Sequence, residues 1–201
     1  MKQLIKAFWV VSAMWMAAQT VVAASSEQVK LDIQADDFGC MLDMTPVRGF
    51  YVDNLIEGEL AKTVAVAEAG EGVYPAGSVV QLVPGEVMVK HPAGFSPATK
   101  DWEFFELNVS AQGSEIHKRG FVDVVNRFGG NCFACHAQAK PQFDMVCETG
   151  HGCEPIPLTS KMTRLLQDTD ARCGGRYQPT AEDAQTMKQL QAILGAMAKP
   201  Q

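Results

Sequence analysis

No apolar run in this sequence is both long and unbroken. The stretch Ala7 to Ala18 is interrupted at Ser12 and followed by Gln19 and Thr20, which makes it a poor permanent membrane span. No cysteine closely follows that run, which argues against a lipid-anchored start. Positive charge is in short supply: 17 Lys and Arg stand against 23 Asp and Glu, a formal net charge of −6. An acidic surface argues against nucleic acid or an anionic membrane as partner, and is compatible with a basic redox partner protein. Internal repeats and low-complexity tracts are absent too, so 201 residues read as one domain with a terminal extension.

What is present begins with an export signal. Lys2 and Lys6 supply a positive start, the apolar run follows, and Val21-Val22-Ala23-Ala24 offers small residues for cleavage. The expectation is a signal peptide over 1–24 and a periplasmic or otherwise exported chain, soluble after cleavage. Removing residues 1–24 takes away two lysines and no acid, lowering the net charge from −6 to −8.

All six cysteines follow that segment: Cys40, Cys132, Cys135, Cys147, Cys153 and Cys173. Cys132-Phe133-Ala134-Cys135-His136 is the C-x-x-C-H signature of covalent haem attachment. Two thiols three positions apart on one turn can each form a thioether to a haem vinyl group. The next residue then turns its imidazole toward the iron, for which neutral imidazole is a suitable ligand. A C-x-x-C disulfide or half a zinc site is the blander alternative. A thioredoxin-like pair would want a strand before it, where Gly129-Gly130-Asn131 stands instead.

Four cysteines remain, an even number that suits two disulfides in an oxidising compartment. They allow three pairings. Cys147 with Cys153 is favoured because Thr149-Gly150-His151-Gly152 between them can turn, which leaves Cys40 with Cys173. A zinc site using these cysteines with His151 is the alternative, weakened by the lack of a second C-x-x-C.

Along the chain, Ser25 to Asp37 reads as polar and loose. Asn54 to Ala67 reads as a helix capped by Asn54, with a stripe of Leu55, Ile56, Leu60 and Val64. Val79–Val83, Glu86–Lys90, Trp102–Val109 and Phe121–Val125 read as strands between the turn signals Pro75-Ala76-Gly77 and Pro84-Gly85 and beyond. Two helices close the chain. One starts at Thr159 or Ser160 and buries Met162, Leu165 and Leu166. The other is capped by Thr180 with Asp183 three residues on, and carries the stripe Ala184, Met187, Leu190, Leu194 and Met197. The expected class is α+β, an antiparallel sheet with flanking helices. The expected divisions are a signal over 1–24, an N-terminal segment over 25–49, a β-rich haem domain over 50–158 and a helical extension over 159–201. Val80, Leu82, Met88, Phe95, Phe104 and Phe128 are candidates for an apolar haem pocket. His91, His117 and His151 read as surface or loop residues rather than as a second axial ligand.

Three stretches resemble the mostly-β monohaem cytochromes that include cytochrome P-460 and cytochrome c′-beta. They are Pro75-Ala76-Gly77-Ser78-Val79-Val80, then Val89-Lys90 with Phe95 and Asp101-Trp102-Glu103-Phe104-Phe105, then Cys132 to His136 with Asp144-Met145-Val146. The likeness covers roughly Phe50 to Cys147. It implies one covalent haem c with His136 as proximal ligand and an open or weakly occupied distal side. The implied ligands are nitric oxide or hydroxylamine, with either oxidoreductase activity or a non-enzymatic role, and a homodimer remains open. Hydroxylamine-oxidising members carry a lysine bonded to the haem ring. In the preferred register Leu82 stands at that position. A rival register, set by Gly85-Glu86-Val87-Met88-Val89-Lys90, puts Lys90 there. The preferred register implies a five-coordinate or water-bound iron, no lysine bond, and a pocket around Val80, Leu82 and Phe95 too apolar to supply a general base. Two readings compete with it: an electron carrier with His136 and Met88, Met145 or Met162 as ligands, and a disulfide-stapled binding protein without haem.

Overall fold

The computed structural model describes residues 31–197; the expected signal segment lies outside the described residues. At the centre is a six-stranded antiparallel sheet in which each strand pairs with its neighbour in sequence. Its strands are β1 (Thr45–Val47), β2 (Phe50–Asn54), β3 (Ser78–Val83), β4 (Glu86–Lys90), β5 (Trp102–Ser110) and β6 (Gly113–Gly120). Helix α1 (Leu60–Ala69) lies between β2 and β3. After the sheet come the short helix α2 (Cys132–His136), then α3 (Ser160–Asp168) and α4 (Ala181–Met197). The α+β expectation holds at this level.

The strands form where β-branched and aromatic residues alternate, because successive side chains leave a strand on opposite faces. One face gathers Phe50, Val52, Val80, Met88, Trp102 and Phe104 with Ala67 of α1, Tyr74, Val124, Cys132, Met145 and Val146. The other gathers Val79, Val87, Val89, Phe105 and Leu107 beneath Ile33 and Phe38. Phe38 meets Phe105 with ring centroids 5.2 Å apart. Both faces are therefore dry, which is why β3 and β4 are buried along nearly their whole length.

Several expectations need correction. Asn54 ends β2 and caps no helix. Its Oδ1 accepts from the Ile56 N–H at 2.7 Å, and its Nδ2 donates to Thr63 Oγ1 and the Ala76 carbonyl. This asparagine ties the β2 end to the Pro75–Gly77 turn. Gly77 has φ +84°, and a Cβ there would sit 2.2 Å from Asn54 Oδ1, so only glycine fits. Helix α1 starts later than expected and buries Thr63 and Ala67 rather than Leu60. Residues 121–125 form no strand; Val125 makes only an isolated bridge to Asn131. The strand after β5 is β6, whose Glu115, His117, Lys118 and Arg119 mask the pattern because it is a charged sheet edge.

The expected division at Phe50 falls inside the β1–β2 hairpin, where Val47 pairs with Phe50. Helix α3 packs against β3 and α4 against α3. Gln167 Nε2 of α3 donates to the Gly49 and Leu82 carbonyls at 2.8 and 2.9 Å. Thr159 caps α3, and Met162 and Leu165 are buried as expected, while Leu166 is half-buried. Thr180 and Asp183 form the expected reciprocal cap on α4. On α4 Leu190 is buried, Met187 and Leu194 half-buried, and Ala184 exposed; Thr186 takes the inward place. The side chain of Met197 lies outside the described ones.

Both favoured disulfides are present, Cys40–Cys173 and Cys147–Cys153. The first spans 133 positions and fastens the N-terminal turns to the segment after α3. Opening it by Cys40→Ser with Cys173→Ser is expected to cost about 2–4 kcal/mol. A denaturant titration measures this; a midpoint equal to that of the parent chain would count against the role.

Beside that disulfide lies a buried ion pair. Arg172 meets Asp170 with Nη2 to Oδ2 at 2.7 Å, the side chains 2% and 0% exposed. Asp170 Oδ2 also accepts the Met41 N–H at 3.1 Å, and Arg172 reaches the Phe38 carbonyl and Ser114 Oγ. Burial pushes the Asp170 carboxyl up, but the bonds from Arg172 and Met41 outweigh it and hold the group below its ordinary range. A depressed carboxyl contributes stability that is present above its unfolded value of about 3.9 and is lost as pH falls through the lower folded value. Thermal unfolding against pH is therefore expected to weaken below about pH 4, with a shallower slope there in Asp170→Asn.

Candidate functional site

The site is built on one face of β4 and β5, as three cross-strand pairs in phase. Glu86 stands opposite Glu106, Met88 opposite Phe104 and Lys90 opposite Trp102. Residues two apart on a strand share a face, so these three rungs line the side on which Cys132, Met145 and Val146 pack. Each rung meets a different part of the segment that follows the sheet.

The segment enters through Asn131. Its Oδ1 accepts from the Ala134 N–H at 2.8 Å and caps α2, while its Nδ2 donates to the Val122 carbonyl at 2.8 Å. This cap starts the single helical turn that carries Cys132, Cys135 and His136. Cys132 is buried and Cys135 half-buried, and neither is in a disulfide. Burial pushes the Cys132 thiol up to about 12, with the carboxylates of Glu86 and Glu106 adding to the rise. Burial raises Cys135 as well. Such thiols are protonated at neutral pH, the opposite of the low-pKa thiolate a dithiol redox enzyme needs.

His136 is half-buried beside the middle rung, its ring 5.2 Å from that of Phe104. Its Nδ1 lies 2.7 Å from the Met145 carbonyl oxygen. A carbonyl only accepts, so Nδ1 carries the proton and donates, and Nε2 keeps its lone pair. Burial lowers the imidazole pKa, the Met145 carbonyl opposing it in part, and so favours the neutral ring.

The third rung holds the carbonyl-bearing residues. Lys90 Nζ donates to Asp144 Oδ1 and Oδ2 at 2.9 and 2.8 Å and to the Lys100 carbonyl at 2.6 Å. It also sits 5.0 Å from the Trp102 ring centre. The Trp102 indole N–H donates to the Asp144 carbonyl at 2.7 Å, and the Tyr74 N–H to Asp144 Oδ2 at 2.9 Å. The Lys90 amine in the rival register is thus committed to a buried ion pair.

The structure sorts the other sequence-level candidates. Val80, Leu82, Met88 and Phe104 share the cluster of Cys132. Phe95 does not join them: it stacks on His91 at 3.8 Å. The His91 partner is Glu103, at 2.8 Å, which also pairs with Arg119. Glu103 alternates with Trp102 and Phe104, so this group faces the other side of the sheet. Phe128 is outside that cluster too, on the wall of a cavity of about 260 Å³ that Val83, Leu158, Leu166 and Leu190 line together with Glu86 of the first rung. His91 and His151 lie in loops as expected but are buried there rather than at the surface, and His151 stacks on Phe143 and bonds the Val146 carbonyl. His117 is exposed. Met88 and Met145 belong to the cluster of Cys132, whereas Met162 on α3 does not.

Two groups of site residues escape a linear reading. Asp144 stands in a stretch that carries the resemblance, but its bonds to Lys90, Trp102 and Tyr74 become visible only through those distant partners. Glu86 and Glu106 correct the expectation of a wholly apolar pocket. Burial raises the Glu86 carboxyl, opposed by the Arg127 N–H bonded to it and reinforced by Glu106. Glu106 Oε2 is buried with no hydrogen-bond partner among the described residues. Their one sequence signal is phase, since each sits two positions from a residue of the site face.

The donor set fits a covalently attached haem. Two thiols stand three positions apart outside any disulfide, followed by an imidazole that donates from Nδ1 and whose Nε2 has no hydrogen-bond partner among the described residues. The zinc alternative does not fit, because Cys147 and Cys153 are bonded to each other. Among the described residues no helix is long and apolar enough to cross a membrane. Comparison with protein-family models, curated proteins and solved structures finds no match for this chain.

Proposed function

We propose that this protein is an exported monohaem c-type cytochrome of the cytochrome P-460-like type, with an open distal side that binds nitric oxide or serves redox chemistry of small nitrogen compounds. One observation carries the reading. In a chain whose other four cysteines are paired, Cys132 and Cys135 stay free on one turn, and His136 holds its proton on Nδ1. Cys132 and Cys135 would hold haem c by thioethers, and His136 would present Nε2 to the iron. The haem, when bound, supplies an iron centre that takes up a diatomic ligand or passes an electron. The two disulfides fit an oxidising compartment.

The commitment of Lys90 to Asp144 supports a haem without a lysine bond. An apolar pocket would imply little turnover of hydroxylamine. Glu86 and Glu106 beside Cys132 remove that ground, because a carboxylate pair can accept a proton. An electron carrier is the second reading, favoured by Met88, which lies buried across from Phe104. An absorption spectrum of protein matured in cells able to attach haem c decides between them. The expected result is a high-spin spectrum that shifts on titration with nitric oxide. A low-spin spectrum with a sulfur-to-iron band, unchanged by nitric oxide and lost in Met88→Leu, would favour the carrier.

A further inference from the structure

Asp144 and Met145 both have left-handed backbones, with φ of 48° and 67°. Two consecutive non-glycine residues in this region carry a conformational cost of about 1–2 kcal/mol each, so their surroundings must hold them there. Asp144 and Met145 are 2% and 3% exposed, and Lys90 and Trp102 are 6% and 0% exposed. Lys90 and the Tyr74 N–H grip the Asp144 carboxylate, while the Trp102 indole grips the Asp144 carbonyl, which belongs to the peptide group leading into Met145. On the far side, the Val146 N–H donates to the Phe143 carbonyl at 2.8 Å, and the Val146 carbonyl accepts from His151. The Met145 carbonyl left between these anchors is the one that accepts from His136 Nδ1.

We propose that Lys90, Asp144 and Trp102 are positioning residues for the axial ligand: by clamping Asp144 they aim the Met145 carbonyl at His136 Nδ1, and so set the orientation and donor strength of Nε2. The inference rests on the haem reading above and deepens it. A hydrogen bond from Nδ1–H to a fixed carbonyl increases electron density on the imidazole, and such outer partners fix a ligating histidine and raise its basicity. A more basic ligand favours the oxidised iron. The side chains of the third rung, remote in sequence from Cys132–His136, would then act on the iron through the two consecutive peptide groups of Asp144 and Met145.

The test uses the haem-loaded full chain carrying Trp102→Phe, which removes the indole donor but keeps an aromatic ring, and separately Asp144→Asn, which keeps shape and tolerates a left-handed backbone. The wild type must first show covalent haem on a denaturing gel; a wild type without it overturns the functional reading itself. With haem attached, both variants are expected to show a higher reduction potential and a lower iron–imidazole stretching frequency in the reduced form. The oxidised-to-reduced ratio at the wild-type midpoint should fall about threefold or more, the effect of weakening one hydrogen bond of ordinary strength. Haem-loaded variants that melt earlier yet keep the wild-type potential and stretching frequency would reduce the clamp to a structural role and overturn the proposal.

Discussion

Replacing Cys132 and Cys135 together by alanine is expected to abolish covalent haem attachment. On a denaturing gel the haem stain should fall to background, because no thiol outside the two disulfides would remain in the chain. Each single replacement leaves one thiol and is expected to lower the stain rather than abolish it. His136→Ala keeps both thiols and is expected to remove the fixed axial ligand, so that its spectrum loses the signature of an imidazole-bound iron. Stain persisting unchanged in the double variant would sink the site assignment. The double variant should still fold, since Cys132 contributes only a small side chain to a cluster anchored by Phe50, Trp102 and Phe104. That separates loss of attachment from loss of structure, and circular dichroism checks it.

The second large effect concerns stability. Lys90 and Asp144 form an ion pair with side chains 7% and 3% exposed. Burial pushes the Lys90 ammonium pKa down, and the bonds to Asp144 counter the shift only in part. Removing one partner of such a pair leaves the other charged and out of water, which typically costs about 3–5 kcal/mol. Lys90→Met is therefore expected to lower the urea midpoint strongly. Adding Asp144→Asn to Lys90→Met should recover part of the loss, because the stranded carboxylate is gone. A double-mutant cycle by urea unfolding measures the coupling; additive single effects would mean that the two side chains do not depend on each other.

Local chemistry made part of this molecule legible. The C-x-x-C-H motif declares itself because its three reactive groups lie within one helical turn. Strands β3, β4 and β5 were legible because both sides of the sheet are covered and their residues are correspondingly apolar. β1, β2 and β6 were not, since short or charged edge strands carry little pattern. The Asn54 cap failed for a related reason: an asparagine before an apolar stripe fits a helix start, yet here its amide bridges β2 to a turn more than twenty residues on.

The even cysteine remainder determined that two disulfides would suit the chain, and the short Cys147–Cys153 loop made one pairing reasonable. Cys40 and Cys173, 133 positions apart, meet because β6 and the segment after α3 converge on the N-terminal turns. The position of Phe95 was a tertiary decision as well. From the sequence it belonged with Leu82; the end of β4 instead turns it onto His91, on the far side of the sheet. So was the role of Lys90, whose alternation placed it on the site face but whose partner lies 54 residues away. Sequence by itself determined what is encoded within a turn of helix or a few alternating residues: the C-x-x-C-H spacing, the central strands and the caps of α3 and α4. Only the tertiary structure decided which distant side chains share a rung of the sheet. Those pairings depend on strand register, and register is set by the packing of both faces at once.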